Sequence, residues 1–312
     1  MNYLEKGFLG NTAWWKYVVT LLMVFVGIGV FSIPHAIAVE KIKQSGSYDP
    51  GQFQDVSFLL TLFDPNVNIV YMILPFIGGL LFLMLGVKYV HRQKLHNLTT
   101  GRDAIDWKRV RFSFGIWSIF VVAFVGIQYI IAPESIVFNF QLKPFLILLV
   151  LAVVLVPIQT SFEEYLFRGY LMQSIAVMAR NRWFPLLVTS VVFGLLHISN
   201  PEIATLGYGL LVYYIGSGFF LGIVALMDDG IELSLGFHAA NNLISALVIT
   251  ADWQVFQTYS IFKDIATPNI YTAVLPALLL FPLMLYLFAK KYNWSDWKER
   301  LTGAVEVDQN TI

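Results

Sequence analysis

The chain contains no cysteine and few charged residues. Only 13% of its 312 residues are charged and 57% are hydrophobic, whereas a soluble domain usually carries about 25% charged residues. Without cysteine the chain can form neither a disulfide nor a thiolate metal site. Its net charge is zero, so it lacks the overall basic character of a nucleic-acid-binding protein. The low charge and the mean hydropathy of +0.68 exclude a soluble globular domain and indicate an integral membrane protein.

Histidine is scarce as well, so any histidine chemistry depends on five side chains. They are His35, His91, His96, His197 and His238. No H-E-x-x-H motif is present, which excludes the usual helical zinc protease signature.

Runs of about 20 mostly apolar residues, the length that crosses a bilayer as a helix, recur along the chain. Eight such runs predict an all-α polytopic membrane protein. They are 17–38, 68–90, 112–132, 144–163, 183–199, 203–227, 231–250 and 270–289. Apolar character continues past the fourth run to residue 178, which predicts a long or kinked helix with Pro157 as the kink point. We expect the first run to be an uncleaved helix, since it is longer than the core of a signal peptide.

Lysine and arginine predict the orientation of these helices. The link between the second and third runs is the most basic part of the chain, and further basic residues follow the fourth and the last runs. They are Lys88, Arg92, Lys94, Arg102, Lys108, Arg109, Arg111, Arg180, Arg182, Lys290, Lys291, Lys298 and Arg300. With an even number of crossings, all of them fall on one side together with both termini. We therefore expect both termini to be cytoplasmic, in the plasma membrane if the host is bacterial.

The fourth run ends in Glu163-Glu164-Tyr165-Leu166-Phe167-Arg168. Ionisable residues at membrane depth are costly and indicate function. Glu164 and Arg168 have the i,i+4 spacing of a helical ion pair and can neutralise each other. Glu163 lies about 100° away from Glu164 around a helix, so it lacks that arginine as its partner and is suited to act as a general base. An ion pair at the membrane interface explains the same spacing without catalysis.

Two later runs contain polar residues at i,i+4 spacing. Phe193 precedes His197, and His238 precedes Asn242 with small residues between them. Such pairs can place hydrogen-bonding groups inside a helix bundle, and they can equally join membrane helices without any catalytic role.

The three patterns can meet at one depth. If residues 180–182 form the turn between antiparallel helices, Glu164 and His197 each lie roughly 25 Å from that turn. His238 lies roughly 12 Å from Gly230 on the same side. The sequence thus predicts one polar layer inside the bundle.

Glutamate, two histidines and asparagine, without a serine or cysteine nucleophile, are typical of hydrolysis by activated water. Glu163, assisted by His197, would take a proton from water, and His238 and Asn242 would donate hydrogen bonds to the oxyanion. The same Glu163, His197 and His238 could instead bind zinc.

The motifs resemble those of the CPBP family, which comprises type II CAAX prenyl endopeptidases and bacteriocin-processing and bacteriocin-immunity proteins. The family pattern is E-E-x-x-x-R, F-x-x-x-H and H-x-x-x-N. It is matched in order by Glu163-Glu164 with Arg168, Phe193 with His197, and His238 with Asn242. The resemblance covers about residues 144–250.

This resemblance implies an eight-helix intramembrane protease acting on prenylated or other membrane-bound peptides. It assigns catalytic roles to Glu163, Glu164, His197, His238 and Asn242, and a structural ion pair to Arg168. It divides one membrane domain into three N-terminal helices with the basic link (1–143), the catalytic helices (144–250), and the last helix with a polar tail (251–312). We favour a mechanism without a metal cofactor, because asparagine is a poor zinc ligand; membrane lipids and a lipidated peptide are the expected partners.

Two non-proteolytic functions remain as alternatives, a membrane scaffold or bacteriocin-immunity protein and a proton-coupled transporter. Transporters often contain related halves, and the sequence shows no repeat. A rhomboid-like serine protease built on Ser217 is disfavoured, because Gly218 and Gly222 have the G-x-x-x-G spacing of close helix packing. Oligomeric state stays open.

Overall fold

The computed structural model describes residues 1–306 and is almost entirely helical. The α-helices of this part of the chain are α1 Trp14–Gln44, α2 Val56–Thr61, α3 Pro65–Leu85, α4 Leu95–Thr99, α5 Trp107–Ile131, α6 Leu142–Glu164, α7 Met172–Ala179, α8 Trp183–Leu195, α9 Pro201–Leu206, α10 Leu211–Asp228, α11 Glu232–Val248, α12 Ile270–Tyr292 and α13 Trp297–Thr302. Two π-helical turns, Gly86–Val90 and Tyr165–Leu171, follow α3 and α6 directly.

Every one of the eight predicted runs contains a helix, so the all-α polytopic membrane fold is confirmed. Within residues 1–306, six helical segments are long and apolar enough to cross a membrane: Trp14–Gln44, Pro65–Val90, Trp107–Ile131, Leu142–Ala179, Tyr208–Asp228 and Ile270–Tyr292. Helix α8 has 13 residues and α11 has 17, so neither reaches that length. The structure therefore supports six of the eight predicted crossings by length and composition.

Local sequence explains where the long helices begin and end. Asp64, Asp106 and Asn269 each accept a hydrogen bond from a backbone N–H in the first turn of α3, α5 and α12, which is the usual N-cap arrangement. At the other end, Arg180 and Asp229 adopt left-handed backbone conformations after α7 and α10. The predicted turn at residues 180–182 is therefore present and reverses the chain between α7 and α8.

The basic link, the first residues of the chain, the segment around Ala304 and the α10–α11 turn lie at the same end of the bundle. Thr100 forms a β-bridge with Gly230, and Asn181 forms one with Ala304. The backbone N–H of Tyr3 donates to the side chain of Asp229. This arrangement agrees with the predicted placing of these segments on one side, and their cytoplasmic location stays a prediction.

An ion-pair network explains why the α10–α11 turn is acidic. Asp228 pairs with Arg102 at 3.2 Å and also with Arg109, while Glu232 pairs with Arg102 at 3.3 Å. The two carboxylates are almost completely buried. The basic link is thus joined to the start of α11, the helix that supplies two of the predicted site residues.

A small sheet closes the opposite end of the bundle. Its strand order is β1-β3-β2, with β1 Ile136–Phe138 antiparallel and β2 Ile249–Thr250 parallel to β3 Phe262–Asp264. Because β2 directly follows α11 and β1 precedes α6, the sheet connects the far ends of the helices that carry the site.

Close backbone contacts hold α8 against α10. A Cβ on Gly194 would lie 2.7 Å from the backbone nitrogen of Ile215, and a Cβ on Gly218 would lie 2.6 Å from the backbone oxygen of Ser190. Glycine at these positions therefore lets the two helices approach closely. Helix α11 packs against both α5 and α6, so the site lies where α6, α8, α10 and α11 meet.

Candidate active site

The segment that supplies the two glutamates is one unbroken helical stretch. Helix α6 continues through Pro157 to Glu164, and the π-helical turn Tyr165–Leu171 then leads into α7. The irregular point of the predicted long helix is therefore this turn rather than Pro157. π-Helical turns widen the helix by one residue and often lie at functional sites.

Glu164 and Arg168 form a buried ion pair. Arg168 Nη1 donates to Glu164 Oε1 at 2.8 Å, and the two side chains are 0% and 1% exposed. The guanidinium also donates through Nη2 to the carbonyl oxygen of Gly218 at 3.3 Å and lies 4.3 Å over the ring of Phe193. Both charges are thus neutralised and shielded from water, which suits a structural role better than proton transfer.

Glu163 has different surroundings from its neighbour. Its Oε1 accepts a hydrogen bond from Gln159 Nε2 at 2.8 Å, and its Oε2 lies 3.3 Å from His238 Nε2. The side chain keeps 14% exposure, whereas Glu164 has none. Of the two adjacent carboxylates, Glu163 is therefore the one that a water molecule can reach.

The imidazole of His238 bridges the two glutamates. Its Nδ1 lies 2.8 Å from Glu164 Oε1, and its Nε2 faces Glu163 Oε2. Because the carboxylate of Glu164 is paired with Arg168, it accepts a hydrogen from Nδ1 of His238. That hydrogen bond fixes the ring and directs Nε2 towards Glu163. Two carboxylates, one guanidinium and one imidazole thus share a compact, largely buried cluster in which Glu163 keeps the greater exposure of the two carboxylates.

His197 lies just after α8 and is held by its own turn. Its Nδ1 is 2.9 Å from the carbonyl oxygen of Phe193 and donates to it, which leaves Nε2 as a hydrogen-bond acceptor. The ring of Phe193 lies beside both imidazoles, with its centroid 5.0 Å from that of His197 and 6.2 Å from that of His238. Phe193 therefore links the two histidines through aromatic contacts.

Asn242 reaches the cluster through a neighbour in α6. Its Nδ2 donates to Gln159 Oε1 at 3.0 Å, while its Oδ1 accepts from Asn241 Nδ2 at 3.0 Å. One of its two amide hydrogens is therefore used by Gln159, and the other is available to a ligand.

The structure brings all six predicted residues together, with one difference in pairing. His238, rather than His197, contacts Glu163; within residues 1–306 no hydrogen bond joins His197 to either glutamate. Sequence analysis missed Gln159, Asn241, Trp117 and Tyr214. Gln159 had a local signal, since it is a polar residue four positions before Glu163 in an apolar run.

The zinc alternative assigns Glu163, His197 and His238 as ligands. The Nδ1 atoms of the two histidines are already bonded, to Glu164 and to the carbonyl oxygen of Phe193, so these rings could hold a metal ion only through Nε2. Across the described residues, no three histidine, aspartate or glutamate side chains are arranged to hold a metal ion.

The glutamate–histidine–asparagine cluster of this helical membrane protein lies within the part of the chain that matches a known family. Residues 142–244, which contain all three motifs, match the family of Rce1-like type II CAAX prenyl endopeptidases. The resemblance inferred from the motifs is thereby confirmed, and the family suggests CAAX-type protease activity. The chain is also 28% identical to the uncharacterized protein YyaK of Bacillus subtilis (strain 168), over 82% of this chain and 85% of that protein. No solved structure matches it.

Proposed function

We propose that this protein is an intramembrane endopeptidase that hydrolyses a peptide bond in a membrane-bound or prenylated, CAAX-type substrate, using water activated by Glu163. The observation that supports this most directly is the setting of Glu163. It is a water-accessible carboxylate in a membrane helix, and it touches His238 beside the neutralised Glu164–Arg168 pair. An intramembrane carboxylate is costly and is retained where it has a function.

In the first step, Glu163 removes a proton from a water molecule as the water oxygen bonds to the scissile carbonyl carbon. The unprotonated Nε2 of His197 can accept the second hydrogen of that water and so orient it. The carbonyl π electrons move to the oxygen, which gives a tetrahedral oxyanion.

Two donors are suited to stabilise that oxyanion. His238 donates its Nδ1 hydrogen to Glu164, so it can also donate from Nε2 to the substrate oxygen when the ring is the doubly protonated imidazolium. The second amide hydrogen of Asn242 is the other donor. A preorganised donor of this type contributes about 10²–10³ in kcat.

In the last step the C–N bond breaks and the proton held by Glu163 moves to the leaving amine. The products are a new carboxyl group and a new amino terminus, and Glu163 returns to its carboxylate form. Glu164 does not exchange protons in this scheme; it holds the ring of His238 and is itself neutralised by Arg168.

The experiment that tests this uses the purified full-length protein in detergent with a pool of membrane-bound peptides, including farnesylated C-a-a-X peptides. Cleavage sites are identified by mass spectrometry for the wild type, for Glu163→Gln and for a chelator-treated sample. Glu134→Gln is the matched control, because Glu134 is exposed and lies in a short 3₁₀ turn outside the site.

Cleavage that is lost in Glu163→Gln and kept with chelator and in Glu134→Gln supports the glutamate mechanism. Loss with chelator as well would require a metal. If Glu163→Gln retained turnover while Glu164→Gln lost it, the base would be Glu164. Absence of cleavage by every sample would favour the scaffold or bacteriocin-immunity function.

A further inference from the structure

A chain of hydrogen bonds crosses three helices and ends on Glu163. Trp117 Nε1 in α5 donates to Asn241 Oδ1 at 3.1 Å. Asn241 Nδ2 donates to Asn242 Oδ1 at 3.0 Å. Asn242 Nδ2 then donates to Gln159 Oε1 at 3.0 Å, and Gln159 Nε2 donates to Glu163 Oε1 at 2.8 Å.

The direction of this chain follows from the chemistry of its first member. An indole N–H can only donate, so Asn241 has to accept with its oxygen and present its NH₂ group to the next amide. The same orientation passes through Asn242 to Gln159. The end result is that an N–H, and not a carbonyl oxygen, faces the carboxylate of Glu163.

Trp117 is itself firmly placed. It is 6% exposed, and its ring lies against Phe237 of α11 with centroids 4.2 Å apart. Reversing any single amide in the chain would set two oxygens or two NH₂ groups against each other in a partly buried site, where unpaired polar groups are costly.

We propose that Gln159 and Asn241 are positioning residues that Trp117 orients, and that they keep an amide donor on Oε1 of Glu163 while its Oε2 is left to His238 and water. The same orientation points Asn242 so that its second amide hydrogen is available to the substrate. This inference rests on the proposed function for its catalytic meaning, but the hydrogen-bond chain can be tested without a substrate.

The test uses three uncharged variants of the full-length protein. Gln159→Met removes the donor to Glu163, Asn241→Leu breaks the chain in the middle, and Trp117→Phe keeps an aromatic ring but removes the orienting N–H. Trp294→Phe is the matched control. Trp294 Nε1 also donates to a buried acceptor, the carboxylate of Asp228 at 3.2 Å, and lies outside the site.

The first readout is the infrared band of the ionised Glu163 carboxylate, isolated as the difference between each protein and the same protein carrying Glu163→Gln. We expect the band to move in all three variants, most in Gln159→Met and least in Trp117→Phe, and to stay in place in Trp294→Phe. If the bands of the three variants superimpose on that of the wild type, the proposal is wrong.

The second readout is peptide cleavage. A hydrogen bond to a charged group is worth enough to change a rate about tenfold or more. We expect kcat to fall about tenfold in Gln159→Met and Asn241→Leu with KM within about twofold of wild type. A rise in KM at constant kcat would instead assign these residues to substrate binding and would overturn the proposal.

The two readouts separate two failures. If the wild type cleaves no peptide but the infrared bands move as described, the proposed function fails and the hydrogen-bond chain stands. If the wild type cleaves peptides in a Glu163-dependent way while the bands do not move, the chain fails and the proposed function stands.

Discussion

Tyr214 stacks on the imidazole of His197, with ring centroids 4.2 Å apart and planes inclined by 17°. Tyr214→Ala removes the stacking ring and should leave the His197 side chain free to change rotamer. An aromatic contact is worth about 0.5–1.5 kcal/mol, so we expect kcat to fall up to about tenfold. Steady-state cleavage of the substrate found for the wild type measures this.

Tyr214→Phe is the control for that change, since it keeps the stacking ring and loses only the hydroxyl that accepts from Asn200 at 3.4 Å. It should remain within about twofold of wild type, because that hydrogen bond is long. Equal losses in the two variants would show that the hydroxyl, and not the stack, matters.

Arg168 should be required for stability more than for chemistry. Arg168→Ala leaves Glu164 charged and buried without its partner, which we expect to lower the free energy of unfolding by about 3–5 kcal/mol. Removing both charges in Glu164→Gln with Arg168→Met should cost less than the single change. Thermal unfolding in detergent compares the three proteins, and an Arg168→Ala variant as stable as wild type would contradict the ion-pair role.

Two neighbouring glycines in α10 should respond oppositely to alanine. A Cβ on Gly218 would lie 2.6–2.8 Å from backbone atoms of Ser190, and these cannot move aside as a flexible side chain would. Gly218→Ala should therefore destabilise the fold by about 1–3 kcal/mol. Gly216→Ala meets no atom within 4 Å, so it should be neutral or stabilise by about 0.5–1 kcal/mol. The free energy of unfolding of each variant, measured in detergent against the wild type, tests both expectations.

His91 should make the protein less stable in mild acid. Burial lowers the pKa of His91 below its usual 6.5. Its Nδ1 contacts the carbonyl oxygen of Asn11, and its Nε2 contacts the hydroxyl of Tyr170 at 2.9 Å. Below about pH 6.5 the folded state therefore binds fewer protons at His91 than the unfolded state does. The stability gained by burying the neutral ring is fully present above that pH and is lost as the pH falls.

The measurement is the unfolding free energy of the wild type and of His91→Gln between about pH 7 and pH 5. The unfolding free energy of the variant should change less with pH over this interval than that of the wild type. Every other histidine is common to the two proteins, so the difference between them reports His91. Parallel curves would show that His91 does not titrate differently in the folded and unfolded states.

Local patterns in the sequence were reliable guides to this molecule. Apolar run length located every long helix, because bilayer thickness sets that length. The i,i+4 spacing correctly predicted the contacts of Glu164 with Arg168 and of Phe193 with His197, because helical geometry alone determines which residues are neighbours on one helix face. The basic link and the acidic Asp228 fell on one side of the predicted topology, and they are joined in the structure.

Relationships between helices were beyond those patterns. Which imidazole touches Glu163 depends on the packing of α11 against α6, and sequence spacing gives no rotation of one helix relative to another. The same holds for Trp117, whose contact with Asn241 crosses from α5 to α11. The sequence also predicted eight crossings of similar length, whereas α8 and α11 are shorter than a typical membrane-spanning helix. Helix α8 ends at Leu195, where the chain turns towards Pro201, and polar residues on α11 suit burial among other helices.

The π-helical turn Tyr165–Leu171 acts as a one-residue insertion in an otherwise regular helix. It shifts the phase of the helix by about 100° between its two halves. The half before it presents the glutamates to α11. The end of the turn directs Tyr170 to His91, and the half after it directs Gln173 to the backbone of Tyr3 and Asn97. The one extra residue in the turn therefore sets both the face that carries the glutamates and the face that contacts the amino-terminal residues, and deleting one residue from this turn would misdirect one face or the other.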